Sequence, residues 1–222
     1  MYRPYDIITF DCYGTLIAWE SGIVNAFTIA AAEDGVTLDA AGIITVYMSE
    51  EPSVQGEGYL PYRDVLTETT VRVASELGWR ITRERARFLA DSLPRWQPFP
   101  DTNIALERLA RKFKLGILSN IDNDLLEATL RHFRVDFSLV VTAQQVRSYK
   151  PGFAHFNEAL RQAGQSRLLH AAQSYFHDVL PATKLNIPVA WVNRNSENVE
   201  RGGAQPTYEV PNLIALADLL GA

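Results

Sequence analysis

DIITFDCYGTLIAWE, residues 6–20, drives an apolar run straight into a cluster of polar groups, and its reading decides the fold. Ile7 to Phe10 carry no charge, so they read as a strand buried on both faces, the kind found in parallel sheets covered by helices. Asp11 closes that run, and Tyr13 and a Gly-Thr turn follow it. A carboxylate at the end of a buried strand costs solvation free energy, so it calls for a function. Strand alternation turns Asp11 and Tyr13 one way and Cys12 the other. Cys12 then reads as a small buried hydrophobe rather than a reactive thiol, because no base lies near it in sequence.

Working outward, KLGIL (114–118), FSLVV (137–141), LHAAQ (169–173) and IPVAWV (187–192) repeat the pattern of the first strand. Amphipathic stretches separate them. Asp124 to Phe133 sets Leu125, Leu126, Thr129, Leu130 and Phe133 on one face, and Pro151 to Ala163 does so with Phe156, Ala159, Leu160 and Ala163 before Gly164 stops it. From about residue 100 this is the alternation of a parallel sheet with covering helices. Residues 18–99 break the rhythm, offering only helical segments such as Pro61 to Leu77, closed by Gly78, and Thr82 to Leu93. The glycines and prolines of SEEPSVQGEGYLP (49–61) read as a loop between helices. The expected fold is α/β: a Rossmann-like parallel-sheet core over 1–17 and 100–222, with a helical cap domain, 18–99, inserted over the first crossover.

Composition narrows the function classes. With 222 residues, 47% of them apolar, the chain can bury a sizeable core. Its 21 basic and 26 acidic residues leave a net charge of −5, with no basic stretch dense enough to follow a phosphate backbone, so no nucleic-acid partner is expected. Cys12 is the only cysteine, which rules out an intramolecular disulfide. The start MYRPYDIITF lacks the pattern of a secretion signal, and no apolar run reaches membrane-spanning length, so a cytoplasmic protein without a membrane partner is expected.

Ligands of open parallel sheets bind at the carboxyl ends of the strands, and polar groups gather there. Asp11 ends the first strand, Ser119 and Asn120 end KLGILSN, Lys150 follows the loop after FSLVV, and Ser174, His177 and Asp178 follow LHAAQ. Each also has a plain structural reading: Asp11 can cap the next turn, Ser119 and Asn120 can be ordinary loop residues, and Asp178 can start a helix. Lys150 is the most telling. It precedes Pro151 at an expected helix start, where the macrodipole disfavours a cation, so an anion should lie nearby. A lysine beside Asp11 would keep that carboxylate ionised, as a nucleophile requires.

The set DCYGT (11–15), SN (119–120), YKP (149–151) and QSYFHD (173–178) resembles, in order and spacing, the haloacid dehalogenase (HAD) superfamily of hydrolases, helical cap included. DCYGTLIAWESGIVNA (11–26) and ILSNIDN (117–123) are further similar to L-2-haloacid dehalogenases and to the related L-azetidine-2-carboxylate hydrolase. The resemblance implies a first aspartate that attacks the substrate to form an ester, which water then hydrolyses. Phosphatase members typically carry a second aspartate two residues after the nucleophile and a magnesium-binding acid in the last motif. Here those places hold Tyr13 and Gln173. A phosphoryl group needs a metal to neutralise its charge, whereas hydrogen bonds can hold a departing halide, so no metal and no cofactor are expected.

The resemblance implies that Ser119 and the backbone N–H groups of Cys12 and Tyr13 hold the substrate carboxylate and that Asn120 donates to the halide. Lys150 would orient and ionise Asp11, Asp178 would position or deprotonate the water, and Thr15, Ser174 and His177 would complete the hydrogen-bond shell. His177 has an equal reading as a structural partner of a loop carbonyl. The chain also departs from the family pattern. The family's early cap arginine has no counterpart, since no arginine falls between Arg3 and Arg63, and Phe156, expected at the substrate, stands where a tyrosine is usual. Trp19 and Trp96, flanking the insertion, could wall the pocket in their place, although packing is the commoner role of a tryptophan. The expected substrate is a small 2-substituted carboxylic acid, with halide displacement first, opening of a cyclic imino acid as a variant, and a magnesium-dependent phosphatase as the alternative. A homodimer is left open, relatives often being dimers.

Overall fold

The computed structural model describes residues 4–199 and 202–222; Met1 to Arg3, where the N-terminal segment begins, lie outside the described residues. The chain forms two compact units, one of Met1–Ile17, Pro98–Asn120 and Arg131–Ala222, the other of Ala18–Gln97 and Ile121–Leu130.

The first unit is built on a six-stranded sheet of β1 (Ile7–Phe10), β2 (Lys114–Ser119), β3 (Leu139–Thr142), β4 (Leu168–Ala172), β5 (Val189–Val192) and β6 (Tyr208–Val210), in the order β3-β2-β1-β4-β5-β6. Every pairing is parallel. All residues of β1, β4 and β5 are buried, as their uninterrupted apolar character requires. Five of these strands follow the apolar runs of the sequence; β6, only three residues long, is an addition at the edge. Ile7 lies level with Lys114 on one side and Leu168 on the other. That register brings the ends of β1, β2 and β4 out side by side, where a ligand site is expected.

Leu118, Val141, Phe156, Ala159, Val179 and Trp191 belong to one cluster beside the sheet. Phe156 is completely buried there, and a side chain of its size stabilises the fold by about 1.5–3 kcal/mol. Its helix begins at Ala154 rather than Pro151, because Gly152 N–H first turns back to the Tyr149 carbonyl at 2.9 Å. Gly164 ends the helix with φ 59°, a conformation open to glycine.

The second unit is helical, with Trp19–Glu33, Ala40–Gly56, Tyr62–Glu76, Phe88–Ser92 and Asn123–Leu130 as its helices. The expected loop at 49–61 is corrected in its first half: the helix runs through Pro52 to Gly56, held by Asp39, which accepts from Gly42 N–H at 2.8 Å, and by the burial of Tyr47 and Val54. The expected helix Thr82–Leu93 is instead a 3-10 turn, a short helix and a second 3-10 turn carrying Pro94, whose ring cannot continue a helical ladder. Asp122 caps Tyr62–Glu76, accepting from the N–H groups of Tyr62 and Arg63 at 2.9 Å each. Among the described residues no helix is long and apolar enough to cross a membrane.

Candidate active site

Asp11 leaves β1 with its backbone N–H tied to the Ala171 carbonyl of β4 at 3.1 Å. Its carboxylate is gripped at both oxygens. Lys150 Nζ donates to Oδ1 at 2.8 Å, and Thr15 Oγ1 donates to Oδ2 at 2.9 Å. The same ammonium donates to Asp178 Oδ1 at 2.6 Å and to the Leu118 carbonyl at 3.0 Å, so all three of its hydrogens are used. The side chains of Lys150 and Asp178 are each 1% exposed and that of Asp11 10% exposed. Of the two carboxylates, Asp11 is the more exposed.

One cation between two buried carboxylates divides their behaviour. Burial alone would raise both and lower the lysine. Lys150 and His170 outweigh that at Asp178 and hold it well below the usual carboxylate range. At Asp11 burial prevails, against Lys150 and with the repulsion of Asp178, and its carboxyl sits above its ordinary value. The two carboxylates in turn hold the Lys150 ammonium above its ordinary value despite burial. Lys150 thus lowers the Asp11 carboxyl, as expected of it, but burial and the charge of Asp178 together leave it raised. The helix-start reading of Lys150 is also replaced: the anions it faces are Asp11 and Asp178, and the helix begins three residues beyond Pro151.

Asn120 clamps the backbone beneath that lysine. Its Oδ1 accepts from Lys150 N–H at 2.7 Å and its Nδ2 donates to the Lys150 carbonyl at 3.1 Å, leaving a second N–H for another acceptor. Ser119 Oγ and Asp178 Oδ2 are buried without a hydrogen-bond partner among the described residues. Such atoms are rare in folded proteins, and each calls for an explanation. Thr15 is fixed from three sides: its hydroxyl accepts from Gln173 N–H at 2.9 Å while donating to Asp11, and its carbonyl accepts from Arg194 at 2.9 Å.

The remaining expected residues divide. Cys12 is buried, and burial together with the charge of Asp11 pushes its thiol well up, as a packing role requires. Tyr13, two residues beyond Asp11, is half-buried. Ser174 and His177 pair with each other, Oγ to Nδ1 at 3.0 Å, at the start of a π-helical turn, Tyr175–Val179, that carries Asp178. Burial lowers the His177 imidazole from its ordinary value. Its partner is a hydroxyl rather than a loop carbonyl. Phe156 is corrected from a substrate contact to a core residue, since it has no exposed surface. In the helical unit, Trp96 is 5% exposed and spends its indole N–H on Ser92 Oγ at 3.0 Å, which removes it as a donor to a leaving group. Trp19 is half-buried and packs on Tyr47, ring centroids 5.9 Å apart. Arg63 does not replace the family arginine, being engaged by Asp91 at 3.3 Å and Asp124 at 2.7 Å.

Three residues escaped the sequence reading. Thr9 and His170 lie within β1 and β4 and are joined at 3.0 Å, and His155 Nε2 lies 3.1 Å from the Ser119 carbonyl. Each is a polar residue inside or beside an apolar run, which was the available signal. Magnesium suits the donor set poorly. Asp11 and Asp178 already share an ammonium, Tyr13 and Gln173 hold the places of further acids, and the Gln173 amide donates to Glu197 at 2.9 Å. Among the described residues no group of three or more His, Cys, Asp or Glu is arranged around a common centre for a metal.

Residues 5–171 match the family model of haloacid dehalogenase-like hydrolases. (S)-2-haloacid dehalogenase H-109 of Pseudomonas putida is 26% identical over 98% of this chain and 99% of its own. Pyrimidine 5'-nucleotidase YjjG of Escherichia coli is 30% identical over 55% of this chain and 56% of its own. Among solved structures, L-2-haloacid dehalogenase from Xanthobacter autotrophicus superposes with a TM-score of 0.85 at 22% identity, covering 98% of this chain and 99% of that one. At that identity the likeness speaks for the fold.

Proposed function

This chain belongs to the haloacid dehalogenase-like hydrolases, and we propose that within that family it hydrolyses a small (S)-2-haloacid through an ester on Asp11. One observation carries the reading: the more exposed carboxylate, Asp11, shares the ammonium of Lys150 with the sealed one, Asp178. That asymmetry separates a nucleophile from a base. The full-length similarity to a Pseudomonas putida haloacid dehalogenase supports the choice of substrate class.

In the first step an oxygen of Asp11 attacks the α-carbon from the side opposite the halogen, the new C–O bond forming as the carbon–halogen bond breaks and halide leaves with the electron pair. Attack at the α-carbon inverts its configuration. Ser119 Oγ, the Cys12 and Tyr13 backbone N–H groups and the second N–H of Asn120 are the donors for the carboxylate and the halide. In the second step water bonds to the Asp11 carbonyl carbon while Asp178 takes its proton. The 2-hydroxy acid departs, leaving its former Asp11 oxygen in the product. Lys150 and Thr15 hold Asp11 throughout.

The test is halide release from (S)-2-chloropropionate with and without EDTA. Release unaffected by chelator and abolished in Asp11→Ala is the expected result. Under single turnover in 18O-water the label should enter Asp11 and not the hydroxy acid. Metal-dependent hydrolysis of a phosphate ester with no halide released would replace this reading by a phosphatase.

A further inference from the structure

Thr9 and His170 lead by hydrogen bonds to Asp178, and the two steps above leave these two residues without a role. Thr9 and His170 are register partners in β1 and β4, and both are fully buried. Thr9 Oγ1 lies 3.0 Å from His170 Nδ1, and His170 Nε2 lies 2.9 Å from Asp178 Oδ1. Phe156 covers the imidazole edge-on, centroids 5.3 Å apart. An apolar residue would serve the middle of this sheet at lower cost. A histidine persists there only with both ring nitrogens partnered, and both are.

The direction of the bonds follows from Asp178. Its Oδ1 already accepts from Lys150, and its carboxyl is held well below the usual range, so it is an ionised acceptor. His170 Nε2 therefore carries the proton toward it. In a neutral imidazole Nδ1 is then an acceptor, and the Thr9 hydroxyl, 3.0 Å from it against 3.5 Å from the Leu169 carbonyl, is its donor. Asp178 Oδ1 thus accepts from both Lys150 and His170, whereas Oδ2 is buried with no hydrogen-bond partner among the described residues.

We propose that Thr9 and His170 are positioning residues for Asp178, pinning its Oδ1 so that Oδ2 is the oxygen presented to the hydrolytic water. The step served is the one proposed above, and the inference rests on that reading for its chemistry. The water oxygen bonds to the Asp11 carbonyl carbon and one water proton passes to Asp178 Oδ2. The ester C–O bond then breaks and the departing alkoxide takes that proton. Ester formation, carried by Asp11, Lys150 and Thr15, does not use the relay.

Thr9→Val removes the hydroxyl at nearly constant shape, and Thr9→Ser keeps it. In single turnovers with (S)-2-chloropropionate, followed by mass spectrometry of the quenched protein, Thr9→Val should form the Asp11 ester at the wild-type rate and hydrolyse it about tenfold more slowly, the worth of one hydrogen bond. The ester should accumulate in Thr9→Val and not in Thr9→Ser. Hydrolysis at the wild-type rate in Thr9→Val, equal slowing of both steps, or failure of Thr9→Ser to restore hydrolysis overturns the proposal. A second measurement needs no substrate: 15N NMR of the wild-type protein should show His170 protonated at Nε2 alone. Protonation at Nδ1 alone overturns the relay whatever the enzyme turns over. Wild-type protein that forms no ester and releases no halide instead refutes the dehalogenase reading, and the tautomer then decides the relay by itself.

Discussion

Replacing Lys150 by methionine should expose the charge balance of the site most directly. The substitution keeps an unbranched side chain of similar length in a position 1% exposed, and removes the ammonium from 2.8 Å of Asp11 and 2.6 Å of Asp178. Removing one partner of a buried ion pair costs about 3–5 kcal/mol, because the remaining charge is left uncompensated. Two carboxylates lose their shared cation here, and the protein can escape by binding a proton, so the loss depends on pH. Without the cation, burial is opposed only by Thr15 at Asp11 and by His170 at Asp178, so both carboxyls rise from their wild-type positions, Asp11 further above its unfolded value. A group raised in the folded state contributes most below its unfolded value, and that contribution is lost as pH rises through its folded value. Urea unfolding should therefore show Lys150→Met less stable than wild type by about 3 kcal/mol at pH 8 and by about 1 kcal/mol at pH 5. A loss equal at the two pH values, or larger at pH 5, would refute the view that the ammonium serves to hold two anions.

Asp11 stands above its ordinary value and must be ionised to attack, so the acid limb of kcat/KM should lie at higher pH than an ordinary carboxylate would give; a limb near pH 4 would contradict the burial described. His155 is lowered to about 3, by burial first and Lys150 second. A histidine lowered in the folded state contributes stability above its unfolded value of 6.5 that is lost as pH falls toward the folded one, here roughly 3–5 kcal/mol in all. His155→Gln, which can still donate to the Ser119 carbonyl, should flatten the fall of unfolding free energy between about pH 6.5 and 4.5, and an unchanged slope would exclude His155 as its source. Gly22→Ala inside Trp19–Glu33 should destabilise although alanine favours helices by about 1 kcal/mol, because the added Cβ would lie 2.5 Å from Trp96 Cγ and overpacking costs about 1–3 kcal/mol. A thermal midpoint at or above that of wild type would show that the indole yields.

Much of the fold was legible because both-face burial demands a distinctive composition. Five apolar runs became strands, and the residues that end β1 and β2, with Lys150 and Asp178, converge as polar groups at adjacent strand ends should. β6 was not legible, since its YEV lies in a polar stretch and an edge strand need bury little; only Val210 of the three is buried. Pro52 misled because its local cost is overridden by the buried Tyr47 and Val54 on either side of it. Roles were harder to read than places. Phe156 and Trp96 could be located in sequence, but which atoms they touch depends on packing. His170 looked like one letter of an apolar run until its neighbours across the sheet were known.

The paired hydrogen bonds between the Asn120 amide and the backbone of Lys150 knot two distant stretches of chain into a single ring. Any change at Asn120 therefore tugs on the lysine that holds Asp11. On the proposed reading, selectivity and reactivity are mechanically tied at this residue, whose amide holds the lysine backbone with one N–H and offers the other to a substrate.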